Sequence, residues 1–202
     1  MAAAETRSEI VAAADCLFYR QGFAQTSFAD IAAAVDLSRG NFYYHFRTKD
    51  EILDAVIAAR LQETQAMLDR WELAGDGPAV RILSFIQILI ANRADIKRYG
   101  CPVGTLSTEL AKLGHAAQDE ANQLFTLFRV WLRRQFTILG HKAEADALAL
   151  HLLARSQGIA TLANAFHDDV FIRREVAQLE DWLQTLVDAP RTRAPKPRSR
   201  KN

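Results

Sequence analysis

Between Leu37 and Leu53 the chain reads LSRGNFYYHFRTKDEIL, with Phe42, Tyr43, Tyr44 and Phe46 crowded together and Arg39, Arg47 and Lys49 beside them. No acid falls between Asp36 and Asp50. These residue types suit one chemistry. Arg matches the hydrogen-bonding edge of guanine and Asn that of adenine, and either needs small neighbours to reach a base. Ser38, Arg39, Gly40 and Asn41 supply that combination in order. Gly40 lets the backbone come close to a duplex, while Tyr43, Tyr44 and His45 suit phosphates, sugars and thymine methyls. Lys49 adds a charge to a helix start whose free N–H groups already favour phosphate. Thr26 and Ser27, at the start of the preceding helix, are placed for the same task. Phe42 and Phe46 belong inward with Ile31 and Leu37.

Helical elements must position this set. Ile10, Ala13, Ala14, Leu17 and Phe18 form one apolar face of a first helix that ends near Gly22. TSFADIAAAV opens a second, with Ser27 as N-cap and Asp30 completing a capping box. The short link VDL leads to a third helix capped by Ser38. TKDE opens a fourth, in which Glu51 is expected to reach back to the Thr48 cap. That helix keeps a 3–4 spacing from Ile52 through Trp71 until AGDGP. Two short helices joined by about three residues and braced by a preceding one make a helix-turn-helix, whose second helix enters the major groove. Further helices are expected over about 77–98, 103–115, 118–139, 142–167 and 171–188. No segment alternates with period two for long, so the fold is expected to be all-α.

Composition agrees. Half of the 202 residues are apolar, and only 9 are Gly and 5 Pro. The net charge of +1 hides an uneven distribution, because residues 190–202 (PRTRAPKPRSRKN) carry no acid and leave the rest net acidic. That tail is expected to be disordered; it either adds non-specific DNA affinity or has no role. Two distant cysteines argue against a disulfide framework and fit a reducing compartment. MAAAETRSEI lacks the basic start and apolar run of a leader, and Ile82–Ala91 is too short to span a bilayer. The expectation is therefore a cytoplasmic protein without a membrane partner. The five histidines show no metal-binding spacing, and phosphate loop, dinucleotide fingerprint and nucleophile elbow are all missing from the sequence. Nothing argues for an enzyme or calls for a cofactor.

The run TSFADIAAAVDLSRGNFYYHFRTKDEIL resembles the DNA-binding domain of the tetracycline-repressor (TetR) family over about residues 8–55. Asp36 stands where that family commonly has glycine, and Asp tolerates a left-handed turn better than most residues. The resemblance implies an N-terminal three-helix head (1–47), a C-terminal helical ligand-binding and dimerisation domain (48–189) and the basic tail (190–202). It also implies a homodimer on double-stranded, palindromic operator DNA, repressing transcription until a small-molecule inducer binds. For the dimer, the last two helices offer broad apolar faces with Leu152, Ile159, Leu162, Leu179, Trp182 and Leu186, and Gly158 allows close approach. For the ligand, Phe85, Leu89, Asn92, Phe125, Phe128 and Trp131 suit a mostly apolar cavity, though each would also serve as core. Cys101, in GCPVGTLSTEL, sits at a helix start that favours a thiolate. The segment resembles the GC…G stretch of a branch that responds to electrophiles or oxidants. It is read as a sensing thiol or a residue at the pocket entrance, with a small buried hydrophobe as the alternative. Cys16 is expected to pack. The competing functional reading is an all-helical small-molecule or protein-binding module that makes no use of its helix-turn-helix.

Overall fold

The computed structural model describes residues 2–75 and 77–189, and the basic tail lies outside them. The described residues form helices and no strand: α1 (Ala2–Gln21), α2 (Phe28–Ala34), α3 (Arg39–His45), α4 (Lys49–Leu73), α5 (Pro78–Ala91), α6 (Arg93–Tyr99), α7 (Pro102–Leu113), α8 (Gln118–Leu139), α9 (Ala145–Phe166) and α10 (Asp169–Asp188).

Short polar side chains set the head's helix starts. Ser27 Oγ accepts the Asp30 N–H at 3.0 Å, and the Asp30 carboxylate takes the Ser27 N–H at 2.8 Å. Hydrogen bonds from Ser27 hold the Asp30 carboxyl below its ordinary value of 3.8. Because the folded value lies below the unfolded one, the box contributes above the unfolded value and fails as pH falls through the folded one. Asp30→Asn is expected to remove that part of the acid sensitivity, read as a flatter dependence of Tm on pH below about 4. Thr48 Oγ1 accepts the Glu51 N–H at 3.1 Å. The return bond differs from expectation: Glu51 takes the Arg47 N–H at 2.7 Å, not that of the cap. Asp36 sits at φ 51°, the left-handed turn its side chain tolerates.

The helix expected over 77–98 is two. Asn92, at φ −101° and ψ 11°, ends α5 and begins α6. Apolar spacing continues to buried Ile96 and hides the break. Arg93 Nη1 donates to the Ile90 carbonyl at this turn, at 3.0 Å. Cys16 also departs from expectation, for it is exposed. Ile10, Ala14 and Phe18 bury one stripe of α1, and two residues past Ala14 rotate about 200° away from it.

Two apolar clusters result. One joins α5, α8, α9 and α10 around Ile82, Phe136, Leu152 and Ile172. The other centres on the head, with Ile10, Phe18, Ile31, Phe42 and Phe46, and runs on into Ile52 and Val56 of α4 and Leu106 and Leu110 of α7. The head's core thus continues past residue 47, with α7 as one of its walls.

Candidate nucleic-acid interface and ligand cavity

The helix α3 divides cleanly by direction. Phe42 and Phe46 are buried, with Phe42 edge-to-face on Phe28 at 4.7 Å. Its leading edge faces outward: Ser38, Gly40 and Asn41 are exposed. Ser38 Oγ also caps the helix, accepting the Asn41 N–H at 3.4 Å. A Cβ at Gly40 would meet no atom within 4 Å, so the fold itself places no demand for glycine there. Tyr43 and Tyr44 are 55% and 78% exposed. Tyr43 leans on Phe28 at 5.1 Å, and Tyr44 stands edge-on to half-buried His45 at 5.2 Å. Arg39 opens the helix.

Two expected contacts point elsewhere. Thr26 is fully buried; its hydroxyl donates to the Gly22 carbonyl at 2.7 Å and accepts from Gln21 Nε2 at 3.2 Å. It closes the α1–α2 turn. Lys49 Nζ donates to the carbonyls of Phe23 (2.8 Å) and Thr26 (3.0 Å) and lies 4.2 Å above the Phe23 ring. The carbonyls of that turn lie within reach of its long stem, so the charge serves the head's own scaffold. Ser27 stays exposed at the start of α2 with its hydroxyl engaged as a cap.

A cavity of about 250 Å³ lies among α4, α5, α7, α8 and α9, walled in part by Phe85, Leu89, Asn92, Cys101, Phe125 and Phe128. Phe85 and Phe128 meet edge-to-face at 5.3 Å. Sequence reading missed its polar groups, Thr64, Ser156 and Gln157; each is an unremarked polar residue within a helix. Ser156 Oγ is committed to the Leu153 carbonyl at 2.8 Å, whereas Gln157 Nε2 points to Cys101 Sγ at 3.4 Å. Among the described residues, no charged side chain lines the cavity. Trp131 is not part of the wall. One turn beyond Phe128 on α8, it is buried against Trp71 of α4 at 5.6 Å.

Cys101 precedes α7 in an extended conformation. It belongs to the cavity and also to an outer groove between α7 and α9, which share Phe125 and Gln157 as well. Gly104 leaves room here for the Gln157 amide, which would have to shift if a Cβ were added.

The surface of α9 corrects the residues expected at a dimer face. Leu152, Ile159 and, on α10, Leu179 are buried inside the chain's own core. Apolar residues occupy more than one face of α9, and this stripe packs against α8 and α10. Trp182 and Leu186 are half-buried, Trp182 lying 6.0 Å from Phe136 and 5.1 Å from His151. Gly158 and Leu162 do face outward, flanked by exposed Leu150 and Phe166. A Cβ at Gly158 would meet nothing within 4 Å.

Comparison with known proteins agrees with this architecture. The profile described as "Bacterial regulatory proteins, tetR family" matches residues 10–56. The HTH-type transcriptional regulator TtgR of Pseudomonas putida is 43% identical over 197 residues, covering 92% of this chain and 91% of that protein. The HTH-type transcriptional repressor DhaR of a Mycobacterium species is 26% identical over 168 residues, covering 78% and 82%. Among solved structures, a TetR transcriptional regulator from Legionella pneumophila shares the fold with a TM-score of 0.75 at 24% identity, over 86% of this chain and 94% of that one. With an outward-facing recognition helix on a three-helix head and likeness to TtgR along nearly the whole chain, the protein belongs to the TetR family of helix-turn-helix DNA-binding transcriptional regulators.

Proposed function

We propose that this regulator is a repressor that binds a palindromic operator as a homodimer and is released by an uncharged, largely aromatic small molecule. The observation that carries the DNA half of this reading is the leading edge of α3, where Ser38, Gly40, Asn41 and Tyr43 all face solvent. Two such helices, one from each protomer, read two half-sites when a two-fold axis relates them. The outer face of α9, with Gly158, Leu162 and Phe166, supplies an apolar surface for the second copy. The ligand half rests on a cavity walled by aromatic rings and neutral amides, in which a charged guest would lose its hydration without a counter-charge. Cys101, common to cavity and outer groove, stands at the ligand's entrance.

The test begins with a duplex enriched on the protein from a random-sequence pool. Asn41→Ala is expected to weaken binding to it by about 1–3 kcal/mol and to relax preference at one base position, with Tm unchanged. Tyr43→Ala should weaken binding without changing that preference. Fluorescence anisotropy against the selected duplex and against single-base variants reads both. Unchanged affinity in both variants would move recognition of the duplex away from the leading edge of α3.

A further inference from the structure

We propose that Glu109 is the side chain through which occupancy of the cavity reaches the DNA-binding head. The inference rests on the function proposed above and adds a physical link that the function requires.

The helix α7 has one end in the cavity and its flank on the head. Its first turn, with Cys101, Pro102 and Val103, forms part of the cavity wall. Backbone carbonyls of the same stretch are held by head and α4 side chains. Tyr19 of α1 donates to Gly100 O at 2.8 Å, and burial raises its hydroxyl pKa, so it remains a donor. Arg60 of α4 donates to Pro102 O at 2.8 Å and pairs with Asp15 of α1, Nε to Oδ1 at 2.6 Å. Two helical turns further on, roughly 10 Å along the axis, Glu109 reaches into the α1–α2 turn. Its two carboxylate oxygens accept the N–H groups of Phe23 at 2.9 Å and Ala24 at 2.8 Å. Charge-assisted bonds of this kind are about twice as strong as neutral ones and fix direction as well as distance.

The turn is shaped for this carboxylate. Gly22, at φ 91°, leaves open the space that the Glu109 head occupies; a Cβ there would come within 3.0 Å of Oε1. On its other side the turn's carbonyls hold Lys49, the first residue of α4. The Phe23 and Ala24 amides therefore sit where α7 and α4 both grip the segment that leads into α2. The next element is carried along, because Phe28 of α2 packs on Phe42 of α3. A helix is stiff and a packed interior does not absorb a displacement, so a guest that moves the α7 end at the cavity moves the seat of the recognition helix. Nothing in the local sequence announces this bond, which joins residues 85 and 86 positions apart.

The experiment uses the full chain, the selected duplex and N-phenyl-1-naphthylamine, an uncharged aromatic dye that brightens in apolar cavities. In the unsubstituted protein, saturating dye should weaken duplex binding by at least about fivefold, the lower end of ordinary coupling between sites. In Glu109→Gln, dye affinity should stay within about twofold while the weakening falls below about twofold. A purely structural Glu109 would shift both affinities and leave their ratio intact, so full weakening in Glu109→Gln overturns the clamp alone. Dye that fails to bind, or binds without weakening the duplex in the unsubstituted protein, overturns the ligand-release reading and the clamp with it. Should Glu109→Gln fold poorly, amide exchange at Phe23 and Ala24 in the unsubstituted chain decides the matter. Dye must speed exchange at those two amides, and unaltered exchange there rejects the clamp.

Discussion

Leu162→Arg is expected to yield a folded monomer whose affinity for a palindromic duplex is lower by about a hundredfold or more. Leu162 is 43% exposed on the outer face of α9, beside Gly158 and near Phe166, itself 70% exposed. In a single chain the new guanidinium lies in water and disturbs no core residue. Between two copies packed on this apolar face it would be stripped of water, at a cost of several kcal/mol. Loss of the second head removes the effective concentration that joins two weak half-site contacts, commonly worth about 10²–10⁴ in affinity. Sedimentation equilibrium reads the mass and anisotropy the duplex affinity. A variant that stays dimeric would move the self-association surface away from α9.

Phe42→Ala should cost about 3–5 kcal/mol of stability, the range for truncating a fully buried aromatic ring. Phe42 is 1% exposed and holds α3 to α2 through Phe28. Its neighbour makes the contrast. Tyr43→Ala removes a ring 55% exposed and should leave stability within about 1 kcal/mol while weakening DNA binding. Denaturant titration of the two variants separates the inward from the outward side of one short helix. A Phe42→Ala loss below about 1 kcal/mol would contradict its place in the head's core.

The helix-turn-helix was legible in the sequence because its signals are local. Ser27 and Ser38 cap helices whose first turns follow at once, Asp36 tolerates the turn it occupies, and Phe42 and Phe46 fall one turn apart on the inward side. What stayed hidden depends on distance or on the angle of rotation about a helix. Thr26 and Lys49 have the chemistry of phosphate ligands, but carbonyls of the α1–α2 turn lie within closer reach. Along α9, apolar residues cover too wide an arc to tell the stripe that packs inside from the stripe left outside. Leu152 and Ile159 therefore read like Leu162 until the packing is seen. Trp131 misled in the same way, one turn too far along α8 from the cavity it was expected to line. Tyr19, Arg60 and Glu109 gave no signal at all, since each acquires its role from a backbone group at least 42 residues away.

The neutral wall of the cavity bears on how a cell would supply the signal. A guest that sheds its hydration at little cost inside Phe85, Phe125 and Phe128 also sheds it at little cost in hydrocarbon. The uncharged guest proposed for this cavity would permeate lipid unaided, its internal level would follow the surroundings without a dedicated importer, and the regulator would report exposure itself in place of uptake.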